Sequence, residues 1–465
     1  MNSPPSAAVP SVAADFPSFG PDFVWGASTA SYQIEGAVDE DGRGRSIWDT
    51  FCAEPGRIAD GSSGAIACDH YHRYREDVAM MRDLGLDGYR FSIAWPRVQP
   101  DGSGAVNQAG ISFYDRLIDE LLAAGIKPMA TLYHWDLPQS LQDAGGWLNR
   151  DTALRFGDYA RLMGENFADR VSMWCPVNEP NVAMVLGHAV GSHAPGSTLL
   201  FGALPVAHHL LLGHGLAVQA LRASGATSVG SATNHTPIWA ASDSEADQAA
   251  AQRYDGLWNR LFADPILNGR YPEGFAEVMP GPVADDLAVI AGKLDFYGLN
   301  YYNPTLVGAP SAGDAEPAIP LLRGLPFDFK AIEGYPRTDF DWPVVPDGLR
   351  EVLVDLKSRY PDIPPIYITE NGCSYGDGPD ATGRVADERR VAYLDSHLRA
   401  VHQAIAEGVD VAGYFCWSLM DNFEWAEGYR QRFGLVHVDY DTLVRTPKDS
   451  YYWYQQVIAR GAAQR

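Results

Sequence analysis

The sequence is short of cysteine and of positive charge. Its five Cys stand at 52, 68, 175, 373 and 416 in a chain of 465 residues. The number is odd and no pair has metal-ligand spacing, which argues against a disulfide framework or a zinc ribbon. They read as reduced thiols of a cytosolic protein, with Cys373, close after Glu370, as a bystander. Lys and Arg total 35 against 59 Asp and Glu, a formal net charge of −24. A nucleic-acid binder needs a basic footprint, and docking on anionic lipid needs basic residues as well, so neither partner is expected. No uninterrupted apolar run approaches the roughly 20 residues that cross a bilayer. Residues 1–14 have no basic start and no apolar core, so they do not read as a secretory signal. Their composition is that of a disordered tail, and cytoplasm is the expected compartment.

What the chain has is apolar and aromatic bulk. It is 46% hydrophobic, with 12 Trp and 23 Tyr, enough for one large core. Most of the rings must pack there, which leaves some to stack on flat apolar faces such as those of sugars. Eight short runs read as buried strands: 23–28, 87–93, 127–134, 171–177, 228–233, 294–302, 366–369 and 411–419. They are rich in β-branched and aromatic residues and mostly do not alternate, the pattern of strands buried on both faces. Helical stretches separate them, including 69–84, 203–223, 246–262, 347–359 and 447–460. Ile111, Tyr114, Ile118 and Leu121 share one helical face, and Val391, Leu394, Leu398, Val401 and Ile405 share another. Asp151 is the expected N-cap of a helix through Phe167. Eight strand–helix units predict a single (β/α)8 TIM barrel over 15–465, longer than the typical ~250 residues because of long loops at the C-terminal face of its strands. The longest, 303–346, is rich in Pro and Gly and is expected to help wall a pocket.

Active sites of this fold lie at the C-terminal ends of the strands. There the sequence places Arg90, His134 with Trp135, Asn178 with Glu179, Asn300 with Tyr302, Glu370 and Trp417, with Gln33 just past the first strand. Alone, each is explicable as a structural residue; together they form a polar and aromatic rim. Its two carboxylates, Glu179 and Glu370, are the pattern that glycoside hydrolysis needs, one as nucleophile or base and one as acid. A metal site is the main competitor, since Glu, Asp and His also bind metals. The rim is rich in amides and aromatics and has no His pair on one helix turn beside the two Glu residues, which favours a site without metal or cofactor.

The chain resembles the glycoside hydrolase family 1 β-glycosidases, the β-glucosidase group, from about 19 to 455. The motifs are FVWGASTASYQIEGAVDEDGRGRSIWD at 23–49, DHYHRYREDV at 69–78, YRFSIAWPRV at 89–98 and TLYHWDLP at 131–138. NEP at 178–180, GLNYY at 298–302, ITENG at 368–372 and WSLMDNFEWAEGYRQRFGLVHVDY at 417–440 follow in order. The resemblance implies a retaining enzyme acting on a small-molecule β-glycoside, with Glu370 as nucleophile and Glu179 as acid/base. Gln33, His134, Asn178 and Glu424 are then the ligands of the sugar hydroxyls, and Trp417 is the stacking floor. Trp425 joins Glu424 near the 4- and 6-hydroxyls, with Trp135 nearby. Arg90 and Tyr302 hold the nucleophile, and Asn300 supports the rim. Terminal β-glucosides are the expected substrates, with fucosides and galactosides also accepted.

Three departures from the family pattern stand out. Pro176 and Val177 replace Thr-Phe before the acid/base, and Pro176 removes a backbone donor near a strand end. Asn181 stands where many members carry Trp, and Asp341 stands where Gly often precedes Trp342; both imply an atypical aglycone site. The intact Glu424-Trp425 pair argues against a 6-phospho-β-glycosidase, because an anion there repels a phosphate. A sugar-binding pseudoenzyme is the alternative of another class, disfavoured because both Glu residues remain. Transglycosylation at the same intermediate and assembly into a homo-oligomer are left open.

Overall fold

The computed structural model describes residues 9–310 and 325–463. Eight parallel strands lie in the order in which the chain makes them: β1 Val24–Ser28, β2 Gly88–Ser92, β3 Lys127–Tyr133, β4 Met173–Val177, β5 Gly230–Asn234, β6 Phe296–Asn300, β7 Ile366–Asn371 and β8 Val411–Trp417. β1 pairs with both β2 and β8, so the sheet curls round on itself. The circle closes between β4 and β5 through two isolated bridges, Trp174 with Val229 and Asn178 with Ala232. Pro176 lies between the bridged residues. With no N–H at Pro176 the β4–β5 ladder is not continuous, and closure rests on Trp174 N–H donating to Ser228 O (3.0 Å) and Glu179 N–H donating to Ala232 O (2.7 Å). One of the two closing bonds thus belongs to a predicted catalytic residue.

Helices surround the barrel and bury the outer face of its strands, while the inner face packs on itself. Inside it, Met129, Cys175, Ala232, Phe296 and Phe415 form a buried cluster. Gly26 on β1 makes room for the Phe415 ring, because a Cβ there would overlap it. Contrary to the expectation from the sequence, the helical stretch Leu200–Ala223 is long and apolar enough to cross a membrane by length and composition. It packs on Arg150–Phe167 and is mostly buried, which accounts for its apolar character.

Three local expectations are corrected. The cap of Arg150–Phe167 is Asn149, whose side chain accepts from Asp151 N–H (3.0 Å). Asp151 sits inside the first turn, where its charge favours the positive end of the helix dipole. The expected helix 246–262 is a longer composite of Glu245–Asp255, a wide π turn Gly256–Arg260, and Leu261–Asn268. The N-terminal stretch is not loose as far as residue 14. Val12 is buried, its N–H donates to Gln456 Oε1 (3.3 Å), and Arg460 donates to the carbonyls of Val12 and Ala13 (both 2.7 Å). Residues 1–8 of that predicted tail lie outside the described residues. Of the long loop 303–346, Thr305–Gly308 and Asp328–Lys330 join Ile238–Ala240 in a small outer sheet; 311–324 lie outside the described residues.

The barrel interior generates a stability prediction. Phe415→Ala leaves a ring-sized void against Gly26, and a buried Phe→Ala change costs about 3–5 kcal/mol. Urea or thermal unfolding of the variant is expected to show a clearly lowered midpoint. An unchanged midpoint would mean that the ring is not closely packed.

Candidate active site

Both carboxylates emerge at the C-terminal rim. Glu370 is the penultimate residue of β7, and Gly372 then lets the chain pass so close to Trp417 that a Cβ there would overlap the Trp417 carbonyl. Glu179 follows β4 in a left-handed conformation (φ 45°, ψ 63°), which costs a non-glycine residue about 1–3 kcal/mol. Its N–H is tied to Ala232 O and its carbonyl accepts from Ala183 N–H (3.0 Å), so both sides of the peptide are fixed.

The two carboxylates have different partners. Glu370 Oε1 accepts from Arg90 Nη1 (2.6 Å), and its Oε2 accepts from Tyr302 Oη (2.8 Å). Glu179 Oε1 accepts from two neutral amides, Asn300 Nδ2 (2.9 Å) and Asn234 Nδ2 (3.1 Å). Arg90 Nη2 also donates to Asn178 Oδ1 (2.6 Å), as does Asn300 Nδ2 (3.1 Å). The direction of the Asn300 amide is set by Thr369 Oγ1, which donates to its Oδ1 (2.6 Å). A guanidinium and two asparagines therefore join the two acids in one buried network.

Charge follows from these partners. Burial, with the Glu370 carboxylate second, pushes Glu179 up to about 8, against which its two amide bonds act. Burial raises Glu370 too, but the Arg90 charge and the bonds from Arg90 and Tyr302 pull it back. Glu179 is thus pushed toward holding its proton, while Arg90 and Tyr302 favour the Glu370 anion, the kind of separation an acid and a nucleophile need. Glu424 is pushed up to about 8 by burial and by the charges of Glu370 and Glu179. His134 is held well below its ordinary value by burial and by Arg90, so its ring is neutral.

The pocket above the carboxylates has a volume of about 460 Å³. His134, Trp135, Glu179, Tyr302, Glu370, Trp417, Glu424 and Trp425, all predicted, line it. The other four reach it through bonds to lining residues: Arg90 to Glu370, Asn300 to Glu179, Asn178 Nδ2 to His134 Nε2 (3.0 Å) and Gln33 Nε2 to Glu424 Oε2 (3.4 Å). Gln33 Nε2 also donates to Phe423 O (2.8 Å) and Asn422 Oδ1 (3.0 Å), which fixes the amide. Trp425 packs on Trp48 and Trp135, with ring centres 4.5 and 4.7 Å away. Trp417 lies nearly parallel to the His134 ring at 5.8 Å.

Several lining residues escaped the sequence reading. Asn234, which holds Glu179, is the last residue of β5 and one step past the predicted strand, so the strand-end rule would have found it. Trp258 lines the pocket from the π turn, and its Nε1 donates to Asn234 Oδ1 (3.2 Å). Nothing in its sequence context marks it. Phe340 and Trp342, from the long loop after β6, do wall the pocket, with Phe433 beside them.

The departures from the family pattern take unexpected places. Asn181 is fully buried, and its Nδ2 donates to the carbonyls of Asn234 (2.9 Å) and Trp258 (3.3 Å). It is a strut behind the wall and not a lining residue. Asp341 is exposed, adopts φ 58° where glycine is favoured, and pairs with Arg337 (3.2 Å).

A family model described as Glycosyl hydrolase family 1 matches residues 15–462. Beta-glucosidase A of Acetivibrio thermocellus is 44% identical over 450 residues, covering 95% of this chain and 98% of that protein. The bifunctional beta-D-glucosidase/beta-D-fucosidase of Bifidobacterium breve is 43% identical over 463 residues, covering 96% of this chain and 99% of that one. The solved family 1 β-glucosidase of Thermotoga maritima in complex with isofagomine lactam is similar at a TM-score of 0.90 and 44% identity, covering 96% of this chain and 99% of its own. With a match that runs almost from end to end, at this level of identity and on the same barrel, the chain belongs to glycosyl hydrolase family 1.

Proposed function

We propose that the chain is a retaining β-glucosidase with Glu370 as nucleophile and Glu179 as acid/base, its residues 15–463 forming one catalytic domain. The observation that carries this reading is the unequal partnership of the two acids on one pocket: a cation and a phenol on Glu370, two neutral amides on Glu179. Glu370 attacks the anomeric carbon as a carboxylate, while Glu179 gives its proton to the departing oxygen. Esterification of Glu370 removes its charge, and with it the repulsion that helped to raise Glu179. The Glu179 carboxylic acid has by then lost its proton and is a base matched to water, which frees the sugar with its original configuration.

In this reading Trp417 is the floor beneath the sugar ring, while Gln33, His134, Asn178 and Glu424 take its hydroxyls. Gln33 Oε1, buried and without a partner, supplies an acceptor for one of them. Glucosides come first, because a site built on such bonds rejects sugars that lack the matching hydroxyl. Acceptance of fucosides and galactosides is supported by the named double activity of the Bifidobacterium relative and by a Thermotoga structure with galacto-hydroximolactam. No Lys or Arg lines the pocket among the described residues, so a phosphorylated sugar would find no cation there and is disfavoured. The aglycone side is atypical in that Trp258, and not residue 181, supplies the ring beside the acid/base. The five free cysteines, four of them buried, fit the reducing cytoplasm.

Two experiments test the assignment. Glu370→Ala is expected to lose hydrolysis of an aryl β-glucoside by at least about 10⁴-fold, and azide is expected to restore turnover as the α-glucosyl azide. Glu179→Ala with azide is expected to give the β-azide instead. A binding protein without catalysis would give no azide product from either variant, and exchanged stereochemistry would swap the two roles. The second experiment is the pH profile of kcat/KM. Its acidic limb is the ionisation of Glu370, displaced above the ordinary carboxylate value, and its basic limb is the loss of the Glu179 proton at about 8. Tyr302→Phe removes a donor that favours the Glu370 anion, so the acidic limb moves to higher pH, by about one unit for a bond worth ~1.4 kcal/mol. An acidic limb that stays in place would separate Tyr302 from the nucleophile.

A further inference from the structure

A second, apolar groove of about 230 Å³ lies beside the catalytic pocket. Its floor comes from the π-helical turn Ala183–Ala189, which follows directly on Glu179 and Pro180. The sequence of that stretch, Val182-Ala183-Met184-Val185-Leu186 before Gly187 and Ala189-Val190 after His188, is almost wholly apolar. Phe201 forms part of the opposite edge and is 50% exposed, with Leu199 nearby at 40%. Large apolar side chains left this open beside a site mark a surface that receives an apolar group.

The groove and the catalytic pocket share three residues: Leu186, Tyr254 and Trp258. The shared wall lies on the acid/base side. Trp258 Nε1 bonds to Asn234 Oδ1, and Asn234 Nδ2 bonds to Glu179 Oε1, so the indole stands two hydrogen bonds from the group that protonates the leaving oxygen. Tyr254 stacks on Trp258 at 5.9 Å, which stiffens that wall. A leaving group departing past Glu179 therefore meets Trp258 and Leu186 first, and the apolar groove next.

We infer that this groove takes the apolar aglycone of the substrate, so that glycosides of lipophilic alcohols are preferred to those whose leaving group is a second sugar. The inference rests on the β-glucosidase reading and gives the substrate class of that site. A second sugar needs hydroxyl partners, and the groove offers alkyl and aryl faces. An alkyl chain laid in it gains about 0.8 kcal/mol for each buried methylene, or about fourfold in kcat/KM.

The test is kcat/KM for methyl, butyl, hexyl, octyl and decyl β-D-glucosides, with cellobiose alongside. These alkyl glucosides share a sugar and have leaving groups of closely similar basicity, so chain length reads the groove alone. A rise of at least twofold per methylene between butyl and octyl is expected, with octyl glucoside exceeding cellobiose. Phe201→Asp and Val185→Asp are expected to flatten that slope and to leave methyl glucoside within about twofold of the unaltered enzyme. A series flat in the unaltered enzyme overturns the inference while methyl glucoside turnover keeps the parent reading intact. A flat series together with a dimer in sedimentation that Phe201→Asp splits assigns the groove to a second copy of the chain, and also overturns it. Loss of turnover on every β-glucoside would instead remove the parent reading and this inference with it.

Discussion

The ion pair between Arg90 and Glu370 is the constraint around which the site is arranged. Both side chains are buried, Arg90 completely. A buried guanidinium is costly unless its donors are used and its charge is matched. Here Nη1 meets the Glu370 carboxylate and Nη2 meets Asn178. Removing either charge would leave the other buried and unpaired, at a cost of about 3–5 kcal/mol. The pair thus favours the anion of one of two neighbouring acids in a place where burial pushes both toward the neutral form. Once Glu370 is an anion, its charge adds to burial in keeping Glu179 protonated. In the proposed mechanism, the division of labour between the acids follows from which of them received the arginine.

The barrel makes that division mechanically firm. Arg90 comes from β2, Asn178 and Glu179 from the end of β4, Asn300 from β6 and Glu370 from β7, so four strands converge on one network. Each side chain is held by a bond to the next, from Thr369 through Asn300 to Glu179 and Asn178. The backbone of Glu179 also closes the barrel against Ala232. Moving Glu179 would therefore open the seam between β4 and β5. Behind the sugar-binding end, a fully buried Asp421 accepts from Lys448 (2.8 Å), Arg432 (2.8 Å) and Gly434 N–H (3.0 Å). That cluster pins the segment after β8 on which Asn422, Glu424 and Trp425 stand.

Much of this was legible in the sequence, and the reasons are particular. The eight strands could be read because their runs are mostly apolar or small and almost wholly buried, as in Gly88–Ser92, where Arg90 is the one charged residue. The rim could be read because a polar residue at the end of such a strand needs an explanation. The rule failed by one residue at Asn234, where the predicted strand ended too early. It failed entirely at Trp258, which reaches the pocket through a π turn in a helix outside the barrel, a geometry with no signature in composition or spacing. The place of Asn181 in a motif implies an altered aglycone side, whereas its short amide turns inward to two carbonyls. A motif position gives a residue's place on the chain; which way its side chain faces is decided by packing.

The central claim is that Glu370, held ionised by Arg90, forms a covalent bond to the sugar. The most direct measurement is peptide mass spectrometry after treatment with a 2-deoxy-2-fluoro-β-D-glucosyl fluoride, which slows the breakdown of such an intermediate. The account predicts inactivation with a single sugar adduct on the peptide that contains Tyr367 to Gly372, located at Glu370. An adduct on Glu179 or elsewhere, or full turnover of β-glucosides by an enzyme that never accumulates an adduct, would contradict it.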